Sequence, residues 1–417
     1  MIKKLLIILI IFFIPTICYG ATKQVLTNHT PDDTDATATE YFSLYGDGGA
    51  GGWWTEANKN VVWPSSGTID DLRVNIPTDP ANGAGVQSYT FTVRVDGAGT
   101  TLTCAISEGA TSCTNSSGVA VTAGQEVAFE IVPANTPTVS STVKWTATWN
   151  PTTADETIMV GASNGTNLAT SGTQYLSVHG IDGPNATLIN QQTLISTGGS
   201  FKNLYVELVT APGAGTSRTF AFGTVDCTIS ETATTCNSAA DKQAATAGQV
   251  YALTSTVSGT PAASIVKYGI IFDPTTEGQW IIPQVRSANP TDVVTDHYIG
   301  VNEGEDQPTV TEADRQALAQ SMDILNIYVL AAVAASAGDS WVYTLRVDGA
   351  SSLLTCTFSG ATAVSCNATS TITIADDDLV DTLLHPTSSP DQSGATSVSY
   401  TGFITPTSEA RRVILIQ

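Results

Sequence analysis

Basic residues are scarce in this chain. It carries 16 Lys+Arg against 38 Asp+Glu over 417 residues, a formal net charge of −22. A surface so poor in cations repels phosphate, which excludes nucleic acid and anionic membrane as partners. Charge of either sign is sparse, at 13% of residues, and the acidic excess reads as solubility in a salty exterior. Helix-period apolar stripes are also missing. Thr, Ser, Gly, Ala and Val abound instead, a composition of strands and turns and not of a disordered chain. Beyond residue 20 no apolar run is long enough to span a membrane. Residues 327–337 come nearest, but they soon meet Gly338 and Asp339 and read as a buried strand and its turn.

Signatures of chemistry are missing too. The four histidines, His29, His179, His297 and His385, fall in no metal-ligand spacing. There is no G-x-S-x-G and no phosphate-cradling glycine loop. A Ser-His-Asp set meets only in space, and a glycosidase carboxylate pair has no mark of its own here. The expectation is a protein that is not an enzyme and needs no cofactor.

The N-terminus reads as an export signal. Lys3 and Lys4 precede an apolar run over 5–14, Pro15 ends it, and Cys18, Tyr19 and Gly20 stand before Ala21. That is a Sec-type signal peptide cut after Gly20, and it assigns residues 1–20. A lipoprotein reading through Cys18 fits poorly around Pro15 and Ile17. The mature chain is expected outside the cell or at its surface.

Six cysteines then remain, in three close pairs: Cys104 with Cys113, Cys227 with Cys236, and Cys356 with Cys366. The pairs recur about 125 residues apart, and a period of that kind marks tandem units. Fifteen connectivities are possible, and repetition selects the local one. Export supplies the oxidising conditions such bridges need. Each bridge is expected to staple the two sides of one hairpin, adding about 2–3 kcal/mol in the chain-entropy model.

The flanks repeat as well. Residues 88–97, SYTFTVRVDG, reappear as 340–349, SWVYTLRVDG, and the middle copy over 217–222 has lost the Asp-Gly turn. Thr122-Ala123-Gly124-Gln125 matches Thr246-Ala247-Gly248-Gln249, and Ala375-Asp376-Asp377-Asp378 replaces it in the third copy. Tyr41-Phe42-Ser43-Leu44 answers Tyr175-Leu176-Ser177-Val178 and Tyr298-Ile299-Gly300-Val301. Alone, 311–322 looks helical. Its partners 55–64 and 187–196 look strand-like, so strand is expected there.

Copy one alternates as half-buried strands do. Tyr89, Phe91, Val93 and Val95 face one way, and Thr90, Thr92 and Arg94 the other. Eight strands are expected, at 24–27, 39–45, 60–63, 70–76, 88–95, 101–107, 126–132 and 142–149. That makes an all-β chain of three tandem antiparallel β-sandwiches, with a jelly roll the leading topology and an immunoglobulin-like one the runner-up. Repeat one covers 21–157, repeat two 158–280 and repeat three 281–417.

The runs Leu72-Arg73-Val74, 91–97 and 102–107 resemble tandem modules of uncharacterised exported and phage-associated proteins. The resemblance implies an extracellular jelly-roll-like module and brings no catalytic residue with it.

Three features stand out as candidate sites. Trp53 and Trp54 follow a glycine-rich stretch, and exposed tryptophans stack on sugar rings, wedge into a neighbouring subunit or simply cap a domain. Asp376, Asp377 and Asp378, like Asp32, Asp33 and Asp35, offer hard oxygens suited to Ca²⁺, though such runs are commonly solvated turns. Val413, Ile414, Leu415 and Ile416 form an apolar strand without alternation, which calls for burial on both faces. It either closes repeat three or adds to the next molecule, and the second choice builds filaments. The leading expectation is a secreted, non-catalytic structural or surface protein of a filament, appendage or matrix, its partner a second copy of itself. The alternative is an adhesin or glycan-binding module using Trp53 and Trp54.

Overall fold

The structure, a computed structural model, describes residues 23–30, 33–46, 55–83, 85–139, 142–286, 294–302, 308–391 and 396–404. Trp53, Trp54 and residues 413–416 lie outside the described residues, as do the signal segment and Asp32.

Repeat one contains β1 (Gln24–His29), β2 (Glu40–Phe42), β3 (Val61–Val62), β4 (Gly67–Asn75), β5 (Ser88–Val95), β6 (Ala98–Ser107), β7 (Ser112–Asn115), β8 (Val119–Val121), β9 (Glu126–Ala134) and β10 (Lys144–Pro151). One sheet runs β1-β10-β4-β7, with β8 also on β4. The other runs β2-β9-β5-β6, with β3 also on β9. The chain passes repeatedly from one sheet to the other, β5 and β6 form a hairpin within one of them, and the first strand pairs with the last, which is jelly-roll order. Alternation drives it. Tyr89, Phe91 and Val93 from β5 and Val127, Phe129 and Ile131 from β9 fill the space between the sheets. Trp145 stacks on Phe129 with ring centroids 4.5 Å apart, and Trp63 meets Trp149 edge-on at 5.4 Å.

Repeats two and three are built alike. Thr157–Ala162 pairs with Val266–Pro274, and Gln279–Arg286 with Thr396–Phe403, as β1 pairs with β10. In each repeat the first strand is therefore supplied by the chain itself.

Three sequence readings change. The strands β7 and β8 were not among the eight expected. The segment 311–322 is neither a helix nor one strand: it makes a 3-10 turn at Glu312–Asp314 and a short strand at Ala317–Leu318 before the next strand begins at Met322. Its partners have the same design, with a helical turn at Glu56–Lys59 or Leu188–Gln191 ahead of a two-residue strand, and Thr55, Thr187 or Thr311 at the N-cap. Third, the disulfides do not staple the two sides of one hairpin. Cys104 lies on β6 and Cys113 on β7, which belong to different sheets, and the bridge clips the sandwich shut at that edge. Cys227–Cys236 and Cys356–Cys366 do the same. A spacing of 9 or 10 residues serves because β6 turns straight over the edge into β7.

The R-V-D-G motif is one device. Asp96 (φ 49°) and Gly97 (φ 73°) both lie in the left-handed region that a two-residue hairpin turn requires. Arg94 lies over the Tyr41 ring, 5.7 Å from its centroid, and is held by Glu56 at 2.8 Å and Glu130 at 3.1 Å. It also donates to the Gly97 carbonyl. Arg346 repeats this over Tyr298, with Glu312 at 2.7 Å. Repeat two turns earlier, at Gly223, and lacks the arginine with the turn.

Candidate functional site

The first and last strands of each repeat are buried on both faces, so their outer faces must cover something. They cover the neighbouring repeat. Ile158, Val160 and Ala162 of repeat two join the core of repeat one, Ile281 of repeat three joins that of repeat two, and Val25 of repeat one joins that of repeat three. The same two surfaces meet at every seam, and the third seam returns to the first repeat. Heterologous contacts of this kind either run on as a filament or close into a ring, and here they close at three within one chain.

The seams match position for position, with unlike residues at the matched places. In the first, β3 of repeat one lies on Val266–Pro274 of repeat two, and Asn203 Nδ2 donates to Pro64 O at 2.7 Å. In the second, Thr193–Leu194 lies on Thr396–Phe403. There Leu194 N donates to Ser397 Oγ at 2.8 Å, and Ser196 Oγ donates to Tyr400 O at 2.7 Å. In the third, Ala317–Leu318 lies on β1 and β10, with Gln320 Nε2 donating to Asp71 O at 2.7 Å and Thr27 Oγ1 donating to Leu318 O.

Tyr45, His179 and Asn302 hold matching positions and converge where the seams meet. Tyr45 and His179 pack edge-on with centroids 4.5 Å apart, Asn302 lies against His179, and Asn302 Nδ2 donates to Thr27 O at 2.8 Å. Burial in this apolar axis pushes the His179 imidazole down to about 3, with Asn302 opposing the shift.

Charge is concentrated at two seams. In the third, Arg73 binds Asp376 at 2.9 Å and Asp377 at 3.4 Å. The aspartates noted as calcium candidates thus face a guanidinium, and Asp378 caps its own turn through the Ala375 N–H. At the matched place in the other seams, Tyr205 packs on Gly124 and Tyr328 on Gly248. Deeper in the third seam, Lys144 approaches Gln316, and Asp381 lies buried beside Glu312 and Arg346. Burial, with Glu312 adding, pushes the Asp381 carboxyl up to about 8. In the first seam, Lys267 pairs with Glu126, and burial beside Glu126 raises Glu207 to about 7.

The remaining candidates are placed apart. Asp35 caps a local turn through Thr37 and Ala38. His385 pairs with Asp296 at 2.6 Å on the surface, and His29 and His297 are buried. Asn28 heads a sequon yet is buried, and it donates to Ser43 O. Among the described residues no three metal-ligating side chains converge, and no helix is long and apolar enough to cross a membrane. The sequence points to the junction strands as the linking surfaces but not to the closed seams they form. The one available signal was the unalternating apolar run Ile158-Met159-Val160, which asks for cover on both faces.

No protein-family model matches this chain, and no curated protein matches it.

Proposed function

We propose that the chain is an exported, non-catalytic structural protein, displayed as a rigid pseudo-threefold head in an extracellular appendage or matrix. The closed ring of seams carries this reading. Two-sided strand burial, the axis residues and the shifted groups Arg73, Lys144, His179 and Glu207 all serve to hold the repeats to one another. Three disulfides fit an oxidising compartment. Beside β10 of repeat one the place for a first strand is taken by β1 of the same chain, which favours association of whole heads over exchange of 413–416. Negative-stain microscopy of material from the native source tests this. Ordered extracellular assemblies with three-lobed heads support it, and dispersed single particles alone contradict it.

A glycan-binding role is the alternative reading, with Trp53 and Trp54 as its residues. The stretch bearing Trp53 and Trp54 leaves from Gly46, whose carbonyl accepts Ile181 N at the axis. Glycan binding lost in a Trp53→Ala, Trp54→Ala variant would favour that role.

A further inference from the structure

We propose that Lys267 and Asn60 become joined by an isopeptide bond, with Glu126 as the proton carrier, welding repeat two covalently to repeat one. Glu126 sits between the two partners. Its Oε1 contacts Lys267 Nζ, and its Oε2 accepts from Asn60 Nδ2. One carboxylate thus holds an amine and a carboxamide side by side. Both partners are secluded: the Lys267 side chain is 5% exposed and Asn60 likewise 5%. Asn60 ends the helical turn Glu56–Lys59, where its backbone N–H donates to Glu56 O at 2.9 Å, so the carboxamide is fixed from behind. Among the described residues Asn60 Oδ1 has no hydrogen-bond partner, which leaves its carbonyl uncommitted.

The reaction balances without any further reagent. Glu126 first takes a proton from the Lys267 ammonium it pairs with and passes it to solvent; the freed amine attacks Asn60 Cγ, Glu126 takes the second amine proton, and the C–Nδ2 bond breaks. Glu126 returns the proton to the departing nitrogen, which leaves as ammonia, and a new N–C amide remains. Positioning of this order supplies large effective molarities, and a carboxylate in reach of both nitrogens is the general base and then the general acid. Glu207 and Asp96 also face this group, and Glu207, raised by burial, adds a proton donor beside it.

The third seam offers a built-in contrast. Lys144 and Gln316 hold the positions of Lys267 and Asn60, with Lys144 Nζ 3.4 Å from Gln316 Oε1. The nearby carboxyl there is Asp381, held protonated by burial, so it takes no proton from the amine at neutral pH. One link forms, not two.

The test is the intact mass of the full exported chain, with tandem mass spectrometry of its digest. The proposal expects a mass lower by one ammonia than the disulfide-bonded chain, and a branched peptide joining Asn60 to Lys267. Glu126→Gln and Lys267→Arg should each restore the full mass. Asn60→Asp should still link, losing water in place of ammonia, which keeps the test sound if either of the other variants misfolds. Full mass in the folded protein, with Asn60 and Lys267 in separate peptides, overturns the proposal. A branch at Glu126 instead of Asn60 overturns it equally. Neither result bears on the displayed-head reading, which rests on the closed ring alone.

Discussion

Arg73 and Asp376 lie 2.9 Å apart although 303 residues separate them, and their contact closes the ring. The pair is partly exposed, with side-chain accessibilities of 19% and 48%, so its net worth is modest. Arg73→Ala should cost less than about 1 kcal/mol. Arg73→Glu sets four carboxylates together, with Asp71, Asp376 and Asp377, and should lower the melting temperature further, most at low salt. Adding Asp376→Arg and Asp377→Arg to Arg73→Glu should restore it. Thermal melts at two salt concentrations check the set.

Gly269 tests the first seam. A Cβ there would stand 2.3 Å from Val62 O and 2.8 Å from the Pro64 ring. Thr146 and Ser399 occupy the matched places in repeats one and three, so the strand itself accepts a side chain. Gly269→Ala should therefore act through the seam alone and destabilise by about 1–3 kcal/mol. Urea unfolding followed by tryptophan fluorescence checks it.

His179 should make the ring acid-sensitive. The unfolded imidazole takes its proton near 6.5 and the folded one near 3, so between those values the unfolded state binds more protons. Stability from this group is full above about 6.5 and is lost as pH falls toward 3, by at most about 1.4 kcal/mol per pH unit. His179→Asn, copying Asn302, should flatten that slope. Unfolding midpoints from pH 7 to pH 4 in both proteins decide it.

Asp381 has the opposite sign. Its folded carboxyl titrates near 8 against an ordinary 3.8, so its contribution is full below about 3.8 and is lost as pH rises through 8. Glu312, Arg346, Gln316 and Lys144 face it. Asp381→Asn imitates the protonated acid and should raise the melting temperature at pH 8 more than at pH 4. An equal shift at both values would contradict the assignment.

Much of the single repeat was legible in the sequence. Cysteine spacing gave the period and the pairing, and the alternation at Tyr89, Phe91 and Val93 gave the sandwich. The R-V-D-G run marked a turn, though not that Arg94 clamps it to Tyr41 and Glu56. The sheet-crossing of Cys104–Cys113 was hidden, because a short spacing fits a hairpin and a sandwich edge equally well. The ring was hidden for a different reason. Its seams use unlike residues at matched positions, with Arg73 on aspartates in one and Tyr205 or Tyr328 on glycine turns in the others. Local periodicity carries no trace of such pairings.

Closure of three repeats into one ring is the central claim, and small-angle X-ray scattering of the purified mature chain tests it most directly. A closed ring should give a radius of gyration of about 21 Å, as for a compact chain of this length. A clearly larger radius, with the long-tailed distance distribution of three separated beads, would contradict it.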